Sequence, residues 1–319
     1  MLIEKYELDS VEMRKCYCDA LIDAAAQNDK IVAVDADVQY SMGTAPFAKS
    51  YPNRAINCGI MEAHGVGLSA GMSATGLIPF FHTFGVFATR RVYDQVFLSA
   101  AYQNLNIKII GGDAGVTATA NGGTHMPFED IGIMRNVPNM TIIEPADSTM
   151  YKYLIPYMAN TYGNFYMRLC RRKTIKIYKD DTQFVVGKAN ILREGKDVAI
   201  IASGIMVHQA LLAADILAQK GYSAKVIDMH TIKPIDEAAV LSAAECGAVV
   251  TAANHNIING LGSAVAEVLC AKNPVPLERV GVNDRFGEVG TQDYLMEILG
   301  LTAKNIVEKA IRCIERKQK

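Results

Sequence analysis

Short, unbroken apolar runs recur along this chain, and between them apolar residues fall at helical spacing. Residues 11–28 carry Met13, Cys16, Leu21, Ala24 and Ala25 on one face and predict a helix. Ile31-Val-Ala-Val34 follows as a strand and ends in Asp35-Ala-Asp37. Beyond Glu62, small residues at close spacing (Ala63, Gly65, Gly67, Ser69, Ala70, Gly71, Ala74) predict a helix able to press closely on a neighbour. Strands are expected over 77–81, 108–111, 140–143 and 164–169, with helices over 92–105 and 148–159. The strands are continuously apolar rather than alternating, which fits strands buried on both faces of a parallel sheet. Strand and helix in alternation predict a doubly wound α/β domain with its site at the carboxyl ends of the strands.

The alternation lapses over 178–188, through the charged stretch Lys179-Asp-Asp-Thr-Gln183, and then restarts. Strands are expected at 197–201, 224–228 and 248–251, with helices at 204–219 and 262–269, before an amphipathic, basic-ended helix over 303–319. Two domains follow, 1–183 and a smaller α/β domain 184–319; a chain of 319 residues is long enough for both. Gly260-Leu-Gly262 lacks the third glycine of a dinucleotide turn and is expected to serve packing.

Composition narrows the class. Half of the residues are hydrophobic and the net charge is −1, so neither nucleic acid nor an anionic membrane is expected as partner. No apolar run approaches the roughly 18 residues of a membrane span, and the first residues lack a basic start and apolar core, so a cytoplasmic location is expected. Seven scattered cysteines suit reduced thiols better than a disulfide framework or a zinc site.

The candidate chemistry lies in three patches of the first domain. Glu62 heads the small-residue helix, where a carboxyl would be dry, although a helix carboxylate paired with an arginine has the same signature. Phe84 and Phe87 share a face at i, i+3, suited to a flat ring or equally to a core. The third patch runs from Asp113 through Asn121-Gly-Gly-Thr124 to His125 and Pro127. Asp35 is expected to cap the turn after its strand; Asp37 suits a cap or a ligand contact.

Gly122-Gly-Thr-His125, with Glu129-Asp-Ile and Arg135-Asn-Val-Pro-Asn-Met140 after it, resembles the pyrimidine-binding domain of transketolases. From about Arg14 to its end the chain is similar to the C-terminal half of that family, as it occurs in organisms that encode the enzyme as two subunits. The resemblance implies a pyrimidine-binding domain followed by a transketolase C-terminal domain, and thiamine diphosphate as cofactor. By that resemblance Glu62 hydrogen-bonds a pyrimidine nitrogen, and a dry carboxyl is expected to hold the proton this needs. His125 would contact the sugar and assist proton transfer. Phe87 and Phe84 would stack on the pyrimidine, with Asp37, Val38 and Arg90 as further cofactor contacts. Arg14, Ser41 and Arg171 would hold a sugar phosphate, arginine suiting an anion through its fork; Arg168 and Arg172 are further candidates. His64 is expected in packing or at an interface, and His255 is expected to be structural.

Two departures touch the substrate. Asp113 stands where many transketolases carry histidine, as in deoxyxylulose phosphate synthases, and Ala120-Asn121 stands where they carry Glu-Asp. An unusual ketose or aldose is thereby admitted. The chain also lacks the Gly-Asp-Gly motif and downstream asparagine with which this cofactor class holds its metal and diphosphate. The resemblance therefore implies a partner: an N-terminal, diphosphate-binding subunit that holds Mg2+ and closes the site in an α2β2 assembly. The expected activity is transfer of a two-carbon ketol unit from a ketose, phosphorylated by analogy, to an aldose. The β subunit of a 2-oxo acid dehydrogenase, a deoxyxylulose-phosphate-synthase-like enzyme and a non-catalytic regulatory subunit remain as alternatives.

Overall fold

The computed structural model describes residues 1–317, so the last two residues of the helix expected over 303–319 lie outside the described residues. Among the described residues twelve strands form two sheets: β1 Ile31–Asp35, β2 Ala55–Asn57, β3 Ile78–Phe84, β4 Lys108–Gly112, β5 Met140–Ile143, β6 Asn164–Leu169, β7 Asn190–Arg193, β8 Val198–Ala202, β9 Ala224–Asp228, β10 Thr231–Lys233, β11 Val249–Asn256 and β12 Leu277–Val282. The first sheet has seven strands in the order β10-β5-β6-β4-β3-β1-β2, and the second has five in the order β12-β11-β8-β9-β7. Both are parallel except at one edge, where β10 runs antiparallel to β5 and β7 antiparallel to β9. The two α/β domains expected from the alternation are present.

β1, β4 and β6 are buried along their whole length, as continuous apolar runs require. The helix Met13–Gln27 turns Met13, Tyr17, Cys18, Leu21, Ala24 and Ala25 inward; Cys16 is only half-buried, one position off the face its spacing suggested. The segment expected as a helix over 92–105 is helical but runs as a π-helix over Gln95–Tyr102. The expected helix at 148 opens as a 3-10 turn, with the Asp147 carboxylate accepting from the Thr149 N–H, and continues over Tyr151–Asn160.

β10 is the feature that the alternation does not foretell. It lies well beyond residue 184 in sequence yet adds to the edge of the first sheet, tying the later part of the chain to the earlier. A second tie is polar. Arg168, enclosed on β6, donates to both oxygens of Asp130, to Glu144, and to the carbonyls of Pro127 and Asn254; the Ser203 hydroxyl donates to the other Glu144 oxygen. A buried cation of this kind is tolerated because each of its donors finds an acceptor. All seven cysteines are free thiols. Among the described residues no helix is long and apolar enough to cross a membrane.

Candidate active site

Four neighbouring strands of the first sheet, β6, β4, β3 and β1, deliver their carboxyl ends side by side; Asp37, Val38, Ser41, Phe84, Phe87, Asp113 and Arg171 sit at or beyond those ends, while Glu62 heads the helix after β2 and Arg14 lies on the first helix. Glu62 opens the helix Glu62–Ala74, where the exposed N–H groups favour an acid. Gly65 sets the depth of that helix: a Cβ there would lie 2.4 Å from the Phe81 ring of β3, so only glycine admits this approach. The result is a carboxyl group buried to 4% exposure. On the outward face, a Cβ added at Gly67 or Gly71 would meet no described residue within 4 Å.

The burial expected for Glu62 is present, and so is the arginine of the alternative. Arg91 Nη1 lies 2.9 Å from Glu62 Oε1, and the same guanidinium sits 3.8 Å from the centre of the Phe87 ring. Phe87 is half-buried and stands 6.3 Å from Phe84 between ring centres, tilted by 59°. The His125 imidazole closes against both, at 5.2 Å from Phe87 and 5.7 Å from Phe84. Its Nδ1 is 2.9 Å from the Thr124 hydroxyl. Partial burial lowers its pKa below the usual imidazole value, Asp113 opposes this, and Arg91, Arg171 and Arg90 add to it.

Beyond Phe84 the site becomes charged. Arg171, two residues past β6, lies over the Phe84 ring and grips both oxygens of Asp113 at 2.5 and 2.6 Å. Asp113 is buried at the end of β4 with a left-handed backbone (φ 61°). Arg14 donates to the carbonyls of Tyr40 and Ser41, which places Ser41 between the two arginines, since Arg171 also approaches the Ser41 carbonyl at 3.5 Å. Arg14, Arg171, Arg172 and Lys173, with Glu12 and Leu8, line one surface depression.

Glu62, Arg91, Phe87, Phe84, His125, Asp113, Arg171, Ser41 and Arg14 are thus joined by contact from one end of the site to the other. The remaining candidates lie around it. Arg90 is exposed and bridges Glu129 and the Thr124 carbonyl, beside His125. Asp37 is exposed with φ 62° and accepts from Asn57. The N–H of half-buried Val38 donates to Asp35, which caps this turn as expected; burial raises the Asp35 pKa to about 6. Asn121 is exposed, and its side chain hydrogen-bonds no other described residue. Arg168 is enclosed away from the opening. His64 is exposed on its helix, whereas His255 is buried, with Nε2 accepting from the Gly132 N–H and Nδ1 bonded to the Asn256 carbonyl. No cluster of three or more His, Cys, Asp or Glu side chains is gathered for a metal among the described residues.

Two residues of the site went unread in the sequence. Arg91 follows Phe87 at i+4, a helical neighbour spacing that would have drawn attention to it. Asn254, whose side chain reaches the start of the 113–125 loop, comes from the second domain, and no local signal marks it.

A pyrimidine-binding α/β domain followed by a second α/β domain is the class that this arrangement defines. The model of the transketolase pyrimidine-binding domain matches residues 9–176, and that of the transketolase C-terminal domain matches 187–306. The chain belongs to the transketolase family, among the C-terminal subunits of split transketolases. It is 51% identical to the 6-deoxy-6-sulfo-D-fructose transketolase subunit SqwH of Clostridium sp. (strain MSTE9), over 98% of this chain and 97% of that one. It is 35% identical to a subunit of the apulose-4-phosphate transketolase of Phocaeicola vulgatus, over 96% and 98% of the two chains. A solved split gene transketolase, an inactive β4 tetramer, superposes with a TM-score of 0.89 at 41% identity, covering 97% of this chain and all of that one. The family implies thiamine diphosphate as cofactor.

Proposed function

We propose that this chain is the C-terminal subunit of a split transketolase that moves a two-carbon ketol unit from an anionic ketose to an aldose, with 6-deoxy-6-sulfo-D-fructose as a candidate donor. The observation that carries the proposal is the continuity of the site: a buried acid, two aromatic rings, a histidine and three arginines, with Arg91 linking the acid to the rings, form one connected surface. The residues fit the pyrimidine end of thiamine diphosphate. Phe84 and Phe87 offer half-exposed flat apolar faces, and the buried Glu62 carboxyl is linked to Phe87 through Arg91. When bound, the cofactor supplies the carbon nucleophile that accepts the ketol unit.

The work left to this chain is to bind, orient and hold protons. Glu62, when protonated, donates a hydrogen bond to a ring nitrogen, and its low exposure keeps water from competing. His125 stays neutral at neutral pH, since its surroundings lower its pKa. With Nδ1 engaged by Thr124, Nε2 is left to accept or return a proton at a sugar oxygen. Arg171 and Arg14 hold the anionic terminus, and the Asp113 carboxylate fixes the fork of Arg171. Since Asp113 occupies much of that fork, a singly charged sulfonate suits the site better than a phosphate dianion, which would be repelled more strongly by the carboxylate.

The chain lacks the diphosphate-binding motif, so a partner subunit is proposed to hold Mg2+ and the diphosphate in a heterotetramer acting in the cytoplasm. Residues 1–183 and 184–319 are proposed as its pyrimidine-binding and C-terminal domains. Asp37, Val38 and Arg90 stand by as contacts on the cofactor side, and Asn121 on the acceptor side. The test is reconstitution: the chain alone should transfer nothing, and the chain mixed with its partner, thiamine diphosphate and Mg2+ should transfer the ketol unit from the sulfo-ketose. Transfer by the isolated chain, or carbon dioxide release from a 2-oxo acid by the pair, would overturn the proposal.

A further inference from the structure

The loop that carries His125 is gripped along its length by the second domain. At its start, the Asn254 side chain of β11 accepts from the Val116 N–H at 3.0 Å and donates to the Ala114 carbonyl at 2.8 Å. The fit is close: a Cβ on Gly115, which has φ 53°, would come within 2.2 Å of Asn254 Oδ1. In the middle, the Gly290 N–H reaches the Thr119 carbonyl at 3.3 Å. Near His125, a Cβ on Gly123 would lie 2.5 Å from the Gly287 carbonyl, and one on Gly122 would lie 3.0 Å from Val289. At the far end, the Asn256 N–H donates to the Phe128 carbonyl at 2.9 Å.

Asn254 has a second attachment that makes it more than one contact among several. Its carbonyl accepts from Arg168, and Arg168 also holds the Pro127 carbonyl, two residues beyond His125. One enclosed guanidinium and one enclosed amide therefore frame both ends of the loop, and Asn254 is 1% exposed. A buried amide with both functions satisfied fixes position more firmly than apolar contact does, because each shift breaks a bond that water cannot replace.

We propose that Asn254 is a positioning residue for ketol transfer: the second domain, through Asn254 and the 287–290 segment, fixes the His125 loop against the aromatic pair. This rests on the proposed reaction for its kinetic consequence, though not for its structural one. Asn254 touches no reacting atom. Its effect passes through the backbone of Ala114 and Val116 to the loop, and displacing a proton-transfer group by about 1 Å can cost up to about 100-fold in rate.

The test uses the full chain, alone and assembled. In Asn254→Ala, hydrogen exchange at the 114–125 amides should quicken in the free chain while β1, β4 and β6 stay protected. In the assembled enzyme, kcat should fall by roughly 10- to 100-fold with the KM for thiamine diphosphate unchanged. Asn254→Asp adds a signature that simple destabilisation does not give. A neutral carboxylic acid reproduces the donor and acceptor of the amide, whereas the carboxylate faces the Ala114 carbonyl without a proton, so kcat relative to the natural chain should recover as pH falls. Should Asn254→Ala not fold, Gly123→Ala, at the other end of the loop, should quicken the same amides. Unchanged exchange in the folded variant overturns the proposal, as does an unchanged kcat. An inactive natural pair with quickened exchange in the variant would overturn the reaction assigned above and leave the clamp standing.

Discussion

Replacing Arg91 by alanine should tighten the binding of thiamine diphosphate to the assembled enzyme. In the free chain Arg91 lies against Phe87 and bonds to Glu62, the two groups proposed to meet the pyrimidine. A ring that stacks on Phe87 and bonds to Glu62 has to displace both contacts. The arginine is 46% exposed in its side chain, so the ion pair is worth less than about 1 kcal/mol despite the burial of Glu62. The guanidinium over the ring adds about 0.5–1 kcal/mol. Together they oppose binding by about 0.5–2 kcal/mol, which corresponds to about 2- to 30-fold in affinity. Calorimetric titration of the cofactor with Mg2+ into the natural and Arg91→Ala complexes measures the difference. Unchanged affinity would mean that Arg91 rests on a face of Phe87 that the ring does not use. Weaker binding would make Arg91 a cofactor ligand and refute the displacement argument.

Two further outcomes follow from the charged groups. Asp228 is enclosed, its Oδ2 accepting from the Tyr178 hydroxyl and its Oδ1 without a partner among the described residues, and burial raises its pKa from 3.8 to about 7. The folded chain then binds more protons than the unfolded one between those values, so this group's contribution is full below about pH 4 and is lost as pH rises towards 7. Asp228→Asn should remove that slope, gaining on the order of a few kcal/mol over the natural chain at about pH 7.5 and little at about pH 4.5 in urea denaturation; an equal difference at both pH values would contradict it. Arg171→Lys keeps the charge and loses the two-pronged grip on Asp113. The KM for the anionic donor should rise about 10-fold with kcat within a few-fold, and a change confined to kcat would place Arg171 elsewhere in the reaction.

The layout of the first domain was legible because its central strands are unbroken apolar runs, and β1, β4 and β6 are enclosed accordingly. Glu62 and Gly65 were legible together, since the small residues that let the helix approach β3 are the same ones that dry the carboxyl. β10 was not, because three residues carry no periodicity and its place is set by a partner strand far away in sequence. The π-helical form of 95–102 also escaped, since its apolar spacing resembles that of an ordinary helix. At the site, what depended on one segment could be read, and what depended on two could not. Phe84 and Phe87 stand out by spacing, whereas the pairing of Asp113 with Arg171 spans 58 residues and that of Asn254 with Val116 spans 138.

The most direct measurement is turnover of the reconstituted complex carrying Glu62→Ala in this chain. The expected result is an assembled, folded particle whose ketol transfer falls by about 100-fold or more, since the other buried acids there are engaged: Asp113 is held in the fork of Arg171, and Asp35 accepts from the Val38 N–H and the Thr44 hydroxyl. A variant complex that kept a rate close to that of the natural one would contradict it.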